Sequence, residues 1–194
     1  MSSKRYRWWH GLLFYAGVQV GRLALRSLAR NLAGNSESDS REQDRAFYRA
    51  QRLPAFAPPA IAFPIAWTVN GACAVAGGLH VLNLPSRTPG RSDFLRFQAA
   101  AWTLFAGFDA AYFALRSPLN AAAVTILYTS FTVASLDTAL RRMRDREAAL
   151  SLATTLAWLC LANPLAVTQA ARNHDPFWNV GPWLAPRTRV PQLQ

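Results

Sequence analysis

Five long apolar blocks, each about as long as a bilayer is thick, constrain this sequence more than any other feature. A membrane-spanning helix needs about 20 mainly apolar residues. Blocks of that kind predict spans at about residues 8–28, 59–82, 94–115, 118–140 and 148–171. Each block is interrupted by small or polar residues, which favours helices that pack against one another over a simple lipid anchor.

We therefore predict an all-α fold, a bundle of five transmembrane helices. The membrane domain covers residues 1–172 and includes a polar loop at 29–58. A Pro- and Trp-rich C-terminal tail follows at 173–194. The predicted location is a membrane that the chain crosses several times.

The positive charge of the chain is distributed as in a membrane protein. The formal net charge is +11, and Lys4 is the only lysine. The arginines stand mainly at the edges of the apolar blocks, as in "RRMRDRE" at 141–147, which is typical of loops that flank membrane spans. A nucleic-acid-binding protein would instead concentrate arginine on one polar face. We predict the lipid bilayer as a partner, and no nucleic acid.

A proline-rich stretch, "FYRAQRLPAFAPPAIAFPIAW" at 47–67, leads into the second apolar block. Proline suits the first turn of a helix, where its missing N–H would be unpaired anyway. The residue before a proline avoids the helical region of backbone space. We therefore predict that Pro58 and Pro59 begin the second span, and that "RLPAFAPP" is a stiff, extended segment folded over one end of the bundle.

The spacing of this stretch resembles the TspO/MBR family (translocator protein, or tryptophan-rich sensory protein). The family signature is near W-Y-x-x-L-x-K-P-x-W-x-P-P, followed by a tryptophan eight residues after the last proline. The positions that match are Tyr48, Pro54, Pro58, Pro59 and Trp67. Phe47 and Phe56 replace the two signature tryptophans, while Gln51 and Leu53 replace the leucine and the lysine. The resemblance covers about residues 8–173 and implies the family's five-helix membrane bundle.

The third and fifth blocks depart from the family pattern. Phe105, Phe108 and Asp109 stand where the family's third helix has Asn, Trp and Pro. In the fifth block, Ala166 occupies an Asn position and Pro164 is added. The resemblance therefore implies a retained scaffold with an altered ligand pocket.

The resemblance also implies a ligand. In the family, tetrapyrroles and other flat hydrophobic molecules are held between the helices beneath the first loop, and aromatic rings suit a planar macrocycle. The implied ligand is a hydrophobic small molecule such as a porphyrin, haem or chlorophyll-type tetrapyrrole. The implied lining is Tyr48, Pro54, Phe56, Trp67, Trp102, Phe105, Phe108, Asp109 and Trp158. The alternative is that these rings only fill the core of the bundle.

Asp109 is the most informative polar residue. A carboxylate inside a span is costly and usually faces a partner or a cavity. We expect it to pair with an arginine such as Arg22 or to contact the ligand; the alternative is a protonated or hydrated carboxyl near the interface. His10 and His80 are candidate ligands for a tetrapyrrole metal, but both lie near span ends, which favours wet interfacial side chains. We therefore predict no metal ligand.

Two functions fit these patterns. No spacing typical of a Ser-His-Asp triad, a metal site or a phosphate loop is present in the sequence, so we predict that the protein is not an enzyme. The first function is binding of the hydrophobic ligand for sensing or transport. The alternative is a structural or accessory subunit of a larger membrane complex, respiratory or photosynthetic. Gly17 and Gly21 form a GxxxG pair that suits either a homodimer face or packing within the bundle.

Overall fold

Helices joined by turns make up the part of the chain that the structure describes. The computed structural model describes residues 5–34 and 40–184, with the backbone alone for residues 40 and 41. The long helices are α1 (Trp8–Leu32), α3 (Ala62–Asn83), α4 (Arg91–Asp109), α5 (Pro118–Asp137) and α7 (Ala153–Arg172). Two short helices are α2 (Ser40–Ala50) and α6 (Arg146–Leu150). π-helical segments continue α4 through Ala110–Ala114 and α5 through Thr138–Met143. The predicted all-α bundle is confirmed.

Three helical segments within the described residues are long and apolar enough to cross a membrane: Ala62–Asn83, Pro118–Met143 and Arg146–Arg172. The two other long helices also contain charged side chains, three arginines in α1 and two arginines and two aspartates in α4. In α1 the outer face is nevertheless apolar, with Leu12, Leu13 and Leu23 more than half exposed. The charged side chains of its second half face partners in the bundle, as shown below.

Successive long helices run in opposite directions, so the connections lie at two ends of the bundle. One end, here called the α6 end, carries residues 5–7, the 84–90 turn and the 144–152 link. Tyr6 N donates to Asn83 Oδ1 at 2.9 Å there. The other end, the α2 end, carries α2, the reversal at 115–117 and residues 173–184.

The α6 end is closed by a compact apolar core. Its buried members are Val81, Phe94, Ala139, Ala148, Ala149 and Leu152. Gly77 brings α3 directly against the residue after α6, because a Cβ at this position would overlap the Ser151 side chain. Its neighbour Gly78 has open space where a Cβ would stand. The bundle is therefore tightly packed at this end.

The segment predicted as a polar loop, 29–58, contains ordered helix. α1 continues to Leu32, and residues 40–50 form α2. Asp44 of α2 forms ion pairs with both Arg26 and Arg30 of α1. These partners lie 18 and 14 residues apart along the chain, so the local composition gives no sign of them. The loop that composition predicted was therefore wrong for residues 40–50.

The prolines before the second span stand one turn earlier than predicted. The Pro59 carbonyl accepts a hydrogen bond from Ala62 N at 2.9 Å, and α3 begins at Ala62. Pro58 and Pro59 therefore precede the helix and do not begin it. Pro54 is buried, and its carbonyl accepts from Ala57 N at 3.0 Å, so the segment combines extended residues with turns.

Residues 173–184 fold back over the α2 end. The Asp175 carboxylate, 1% exposed, accepts hydrogen bonds from Ser117 Oγ at 2.7 Å, Leu119 N at 2.9 Å and Trp178 N at 3.0 Å. Ser117 also caps α5 by accepting from Asn120 N at 3.0 Å. The described part of the tail is thus held against the turn that joins α4 to α5.

Candidate ligand site

A cavity of about 840 Å³ lies at the α2 end, between the long helices and beneath α2. Small-molecule sites commonly occupy roughly 300–1,000 Å³. The rings that line it are Tyr15, Tyr48, Phe63, Trp67, Phe105, Phe108, Tyr112, Phe113, Tyr128 and Trp158. These rings come from α1, α2, α3, α4 with its π-helical extension, α5 and α7, so the cavity is a feature of the whole bundle.

The structure places six of the predicted site residues in the wall of this cavity: Tyr48, Trp67, Phe105, Phe108, Asp109 and Trp158. The other three lie elsewhere. Pro54 is buried in the segment before α3, and Phe56 in the same segment is half exposed. Trp102 lies behind the wall, where its ring meets the edge of Phe14 with centroids 5.2 Å apart.

The wall rings hold one another in place. The Trp67 ring centroid lies 5.3 Å from that of Phe105 and 5.7 Å from that of Tyr128. Phe63 meets Trp158 edge to face, with centroids 5.4 Å apart. Contacts of this geometry stabilise aromatic pairs by about 0.5–1.5 kcal/mol beyond the area that they bury. The rings of α3, α4, α5 and α7 therefore pack against one another in the cavity wall.

An ion pair joins α1 to α4 in the cavity wall. Arg22 Nη2 donates to Asp109 Oδ2 at 2.7 Å, which confirms the predicted pairing. Arg22 Nη1 donates to Gln19 Oε1 at 2.9 Å. The guanidinium carbon also lies 4.9 Å from the centre of the Phe105 ring, within range of a cation–π contact. The carboxylate of Asp109 is therefore neutralised inside the bundle.

The sequence matches the TspO/MBR family over residues 24–171. That match spans most of the chain and includes α2 and the cavity-lining parts of α3, α4, α5 and α7. The chain belongs to the TspO/MBR family. A search of curated proteins found no match. The predicted family is confirmed, and with it a multi-pass membrane protein whose scaffold is the TspO/MBR helical bundle.

The α2 helix of this TspO/MBR protein contributes three charged residues that were not predicted from the sequence, beside Tyr48, which was. Asp44, Arg45, Tyr48 and Arg49 all line the cavity. Asp44 is held by two arginines of α1, whereas Arg45 and Arg49 are exposed and form no ion pair within the described residues. The spacing R-x-x-Y-R would have indicated one helix face, had the loop been recognised as a helix.

The Tyr48 hydroxyl is buried and finds no hydrogen-bond partner among the residues that the structure describes. Burial raises the pKa of Tyr48 above its ordinary value of 10.0. The group therefore stays protonated at neutral pH and remains a donor. A second phenol of the wall, Tyr112, accepts a hydrogen bond from Gln169 of α7. Tyr112 and Gln169 were not singled out from the sequence.

The two histidines considered as metal ligands lie away from the cavity. His80 stands at the α6 end, with Nε2 2.7 Å from Asp145 Oδ2 and Nδ1 3.3 Å from Glu147 Oε2. His10 Nδ1 accepts from Arg7 N at 3.0 Å. Among the residues described, no histidine or cysteine lines the cavity.

Asp145 links α5 to α6 beside His80. Burial alone would raise the pKa of its carboxyl group, but hydrogen bonds from Ala148 N and His80, together with the charge of the imidazole, outweigh burial. The pKa of Asp145 therefore lies below its ordinary value of 3.8. The same carboxylate caps α6, since Asp145 Oδ1 accepts from Ala148 N at 2.9 Å.

Proposed function

We propose that this TspO/MBR protein binds a flat hydrophobic ligand, a porphyrin-type tetrapyrrole, in the cavity at the α2 end, and that it does so for sensing or transport. The observation that carries the proposal is the cavity itself, about 840 Å³ in volume and walled by aromatic rings from several helices. A planar macrocycle can place both faces against such rings, and burial of its apolar surface favours binding at roughly 25 cal/mol per Å². The proposal includes no catalytic step.

The polar groups of the wall support a ligand site over a simple core. A core that only fills space has no use for a charged pair, yet Arg22 and Asp109 face this cavity. Gln169 of α7 and Tyr112, about one helical turn after Asp109, add a hydrogen-bonded pair to the wall. A mainly apolar cavity with a few convergent polar groups is the usual composition of a small-molecule site.

Two tryptophan variants test the proposal. The purified protein in detergent is titrated with protoporphyrin IX, and binding is followed by quenching of tryptophan fluorescence and by the Soret absorption. Trp67→Ala removes a ring from the wall, and we expect its affinity to fall about tenfold or more, since burial of one large ring contributes about 1.5–3 kcal/mol. Trp102→Ala is the matched control, because it removes the same ring from a position behind the wall.

The outcomes separate the two roles of these rings. Affinity that falls for Trp67→Ala and not for Trp102→Ala supports a ligand in the cavity. Equal affinity in all three proteins, or no binding to the wild-type protein, overturns the proposal. Thermal unfolding of both variants by circular dichroism shows whether either one has lost the fold.

A second candidate function rests on the C-terminal tail. Residues 173–184 are fixed by Asp175, and they expose apolar side chains at the α2 end: Phe177, Trp178, Trp183 and Leu184. A surface of this kind suits a structural or accessory subunit of a larger respiratory or photosynthetic complex. Purification from native membranes in mild detergent tests it: partners that are lost on Trp183→Ala favour this function, and a small pigment-bearing homo-oligomer favours the first.

A further inference from the structure

One face of α2 carries three cavity-lining residues whose side chains end in hydrogen-bond donors. Arg45, Tyr48 and Arg49 occupy positions i, i+3 and i+4, which place their side chains next to one another on a helix. All three line the cavity. Because Arg45 and Arg49 line the cavity and are also exposed to solvent, they stand at its rim, where the outer edge of a bound molecule would rest.

We propose that Arg45, Tyr48 and Arg49 bind a carboxylate group, so that the cavity selects apolar ring systems that carry an acid. This inference rests on the proposed function, since it assigns the polar end of the ligand whose ring system occupies the aromatic part of the same cavity. A neutral ring system of the same size is bound more weakly.

The charge of the wall supports this assignment. The two acidic side chains in it already have cationic partners: Asp109 is paired with Arg22, and Asp44 is paired with two arginines of α1. Arg45 and Arg49 form no ion pair with any described residue. They are the cations of this wall that remain available to an anion.

The geometry of the donors also suits a carboxylate. A guanidinium presents parallel N–H donors that match the two oxygens of a carboxylate, and such charge-assisted hydrogen bonds are about twice as strong as neutral ones. The Tyr48 hydroxyl is a buried donor with no acceptor among the described residues. A buried polar group without a partner is costly, and a ligand oxygen beside α2 relieves that cost.

Protoporphyrin IX and its dimethyl ester provide the test, because they share one ring system and differ in their two carboxylates. Both are titrated against the full-length protein in uncharged detergent. We expect the ester to bind about tenfold or more weakly, the usual range for loss of a charge-assisted hydrogen bond. We also expect added sodium chloride to weaken binding of the acid and to leave binding of the ester unchanged.

Variants then assign the effect to α2. Arg45→Gln/Arg49→Gln reduces affinity for the acid to that of the ester and leaves the ester unaffected. Tyr48→Phe removes one oxygen atom and produces a smaller change in the same direction. The control Arg87→Gln/Arg146→Gln removes two exposed cations from the α6 end, and it leaves both affinities at wild-type values.

The outcomes distinguish this inference from the function on which it rests. Equal binding of acid and ester to the wild-type protein, with both weakened by Trp67→Ala, overturns the carboxylate site and leaves the ligand cavity standing. A preference for the acid that survives Arg45→Gln/Arg49→Gln overturns the assignment to α2. Failure of both compounds to bind overturns the inference and the proposed function together.

Discussion

The ion pair between Arg22 and Asp109 predicts unequal costs for removing its two members. Asp109→Asn leaves a guanidinium in the cavity wall, and a guanidinium does not give up its proton. Arg22→Gln leaves a carboxyl group, which can take up a proton and become neutral. Breaking a buried pair costs about 3–5 kcal/mol. The side chains here are 26% and 18% exposed, so we expect about 2–3 kcal/mol for Asp109→Asn and about 1 kcal/mol for Arg22→Gln after allowance for solvent screening.

The double variant Arg22→Gln/Asp109→Asn completes the test. It contains no unpaired charge, so we expect it to be more stable than Asp109→Asn alone, with a coupling free energy of about 1–2 kcal/mol. Thermal unfolding in detergent gives the melting temperature of each of the three variants. Each kcal/mol of lost stability lowers the melting temperature by roughly 2–4 °C for a chain of this size.

Asp137→Asn is the control for the loss of one negative charge. Its partner Arg141 lies 2.6 Å away, and both side chains are more than half exposed, so the free energy of unfolding should change by less than about 1 kcal/mol. Strictly additive costs for Arg22 and Asp109, or a larger cost for Arg22→Gln than for Asp109→Asn, would refute the reasoning.

Three further predictions concern the ends of the bundle. Gly77→Ala places a methyl group against a packed side chain and should cost about 1–3 kcal/mol, whereas Gly78→Ala meets open space and should be neutral or slightly stabilising; equal melting temperatures would contradict the close packing. Asp175→Ala removes the acceptor of three hydrogen bonds and should cost about 2–4 kcal/mol while making the tail sensitive to limited proteolysis; wild-type protection would contradict this. Because the pKa of Asp145 is lowered, its contacts with His80 and the α6 backbone add stability above about pH 4 that is lost as pH falls through the lowered value. Asp145→Asn should remove that part of the acid unfolding profile, and an unchanged profile would be evidence against it.

Much of the fold could be predicted from the sequence because the lengths of apolar blocks and the residues between them are local properties. The reversal before α5 is an example, since Ser117 caps the helix and Pro118 occupies its first turn. The helix α2 could not be predicted in this way. Its Asp44 is held by arginines of α1, and composition does not reveal a contact between distant residues.

The resemblance to the family indicated Trp67 of the signature and Phe105, Phe108 and Trp158 of later helices, all of which line the cavity. Trp67 lies in α3, which is a single helix from Ala62 to Asn83, and its side chain lines the cavity. Phe56 precedes that helix, in a segment whose turns expose its ring. Trp102 faces Phe14 of α1, and the rotation of α4 that causes this depends on packing between helices. Arg45 and Arg49 escaped prediction together with α2.

The filled core at the α6 end limits how a molecule can move through the protein. Val81, Phe94 and Leu152 occupy the interior of that half, while the cavity occupies the other half. A molecule that enters beneath α2 meets a closed floor, so it leaves through the same mouth or sideways between helices into lipid. The bundle is thus a one-ended chamber and not a pore. Exchange of a bound molecule should therefore depend on opening at the α2 end or between the helices, and not on passage through the filled α6 end.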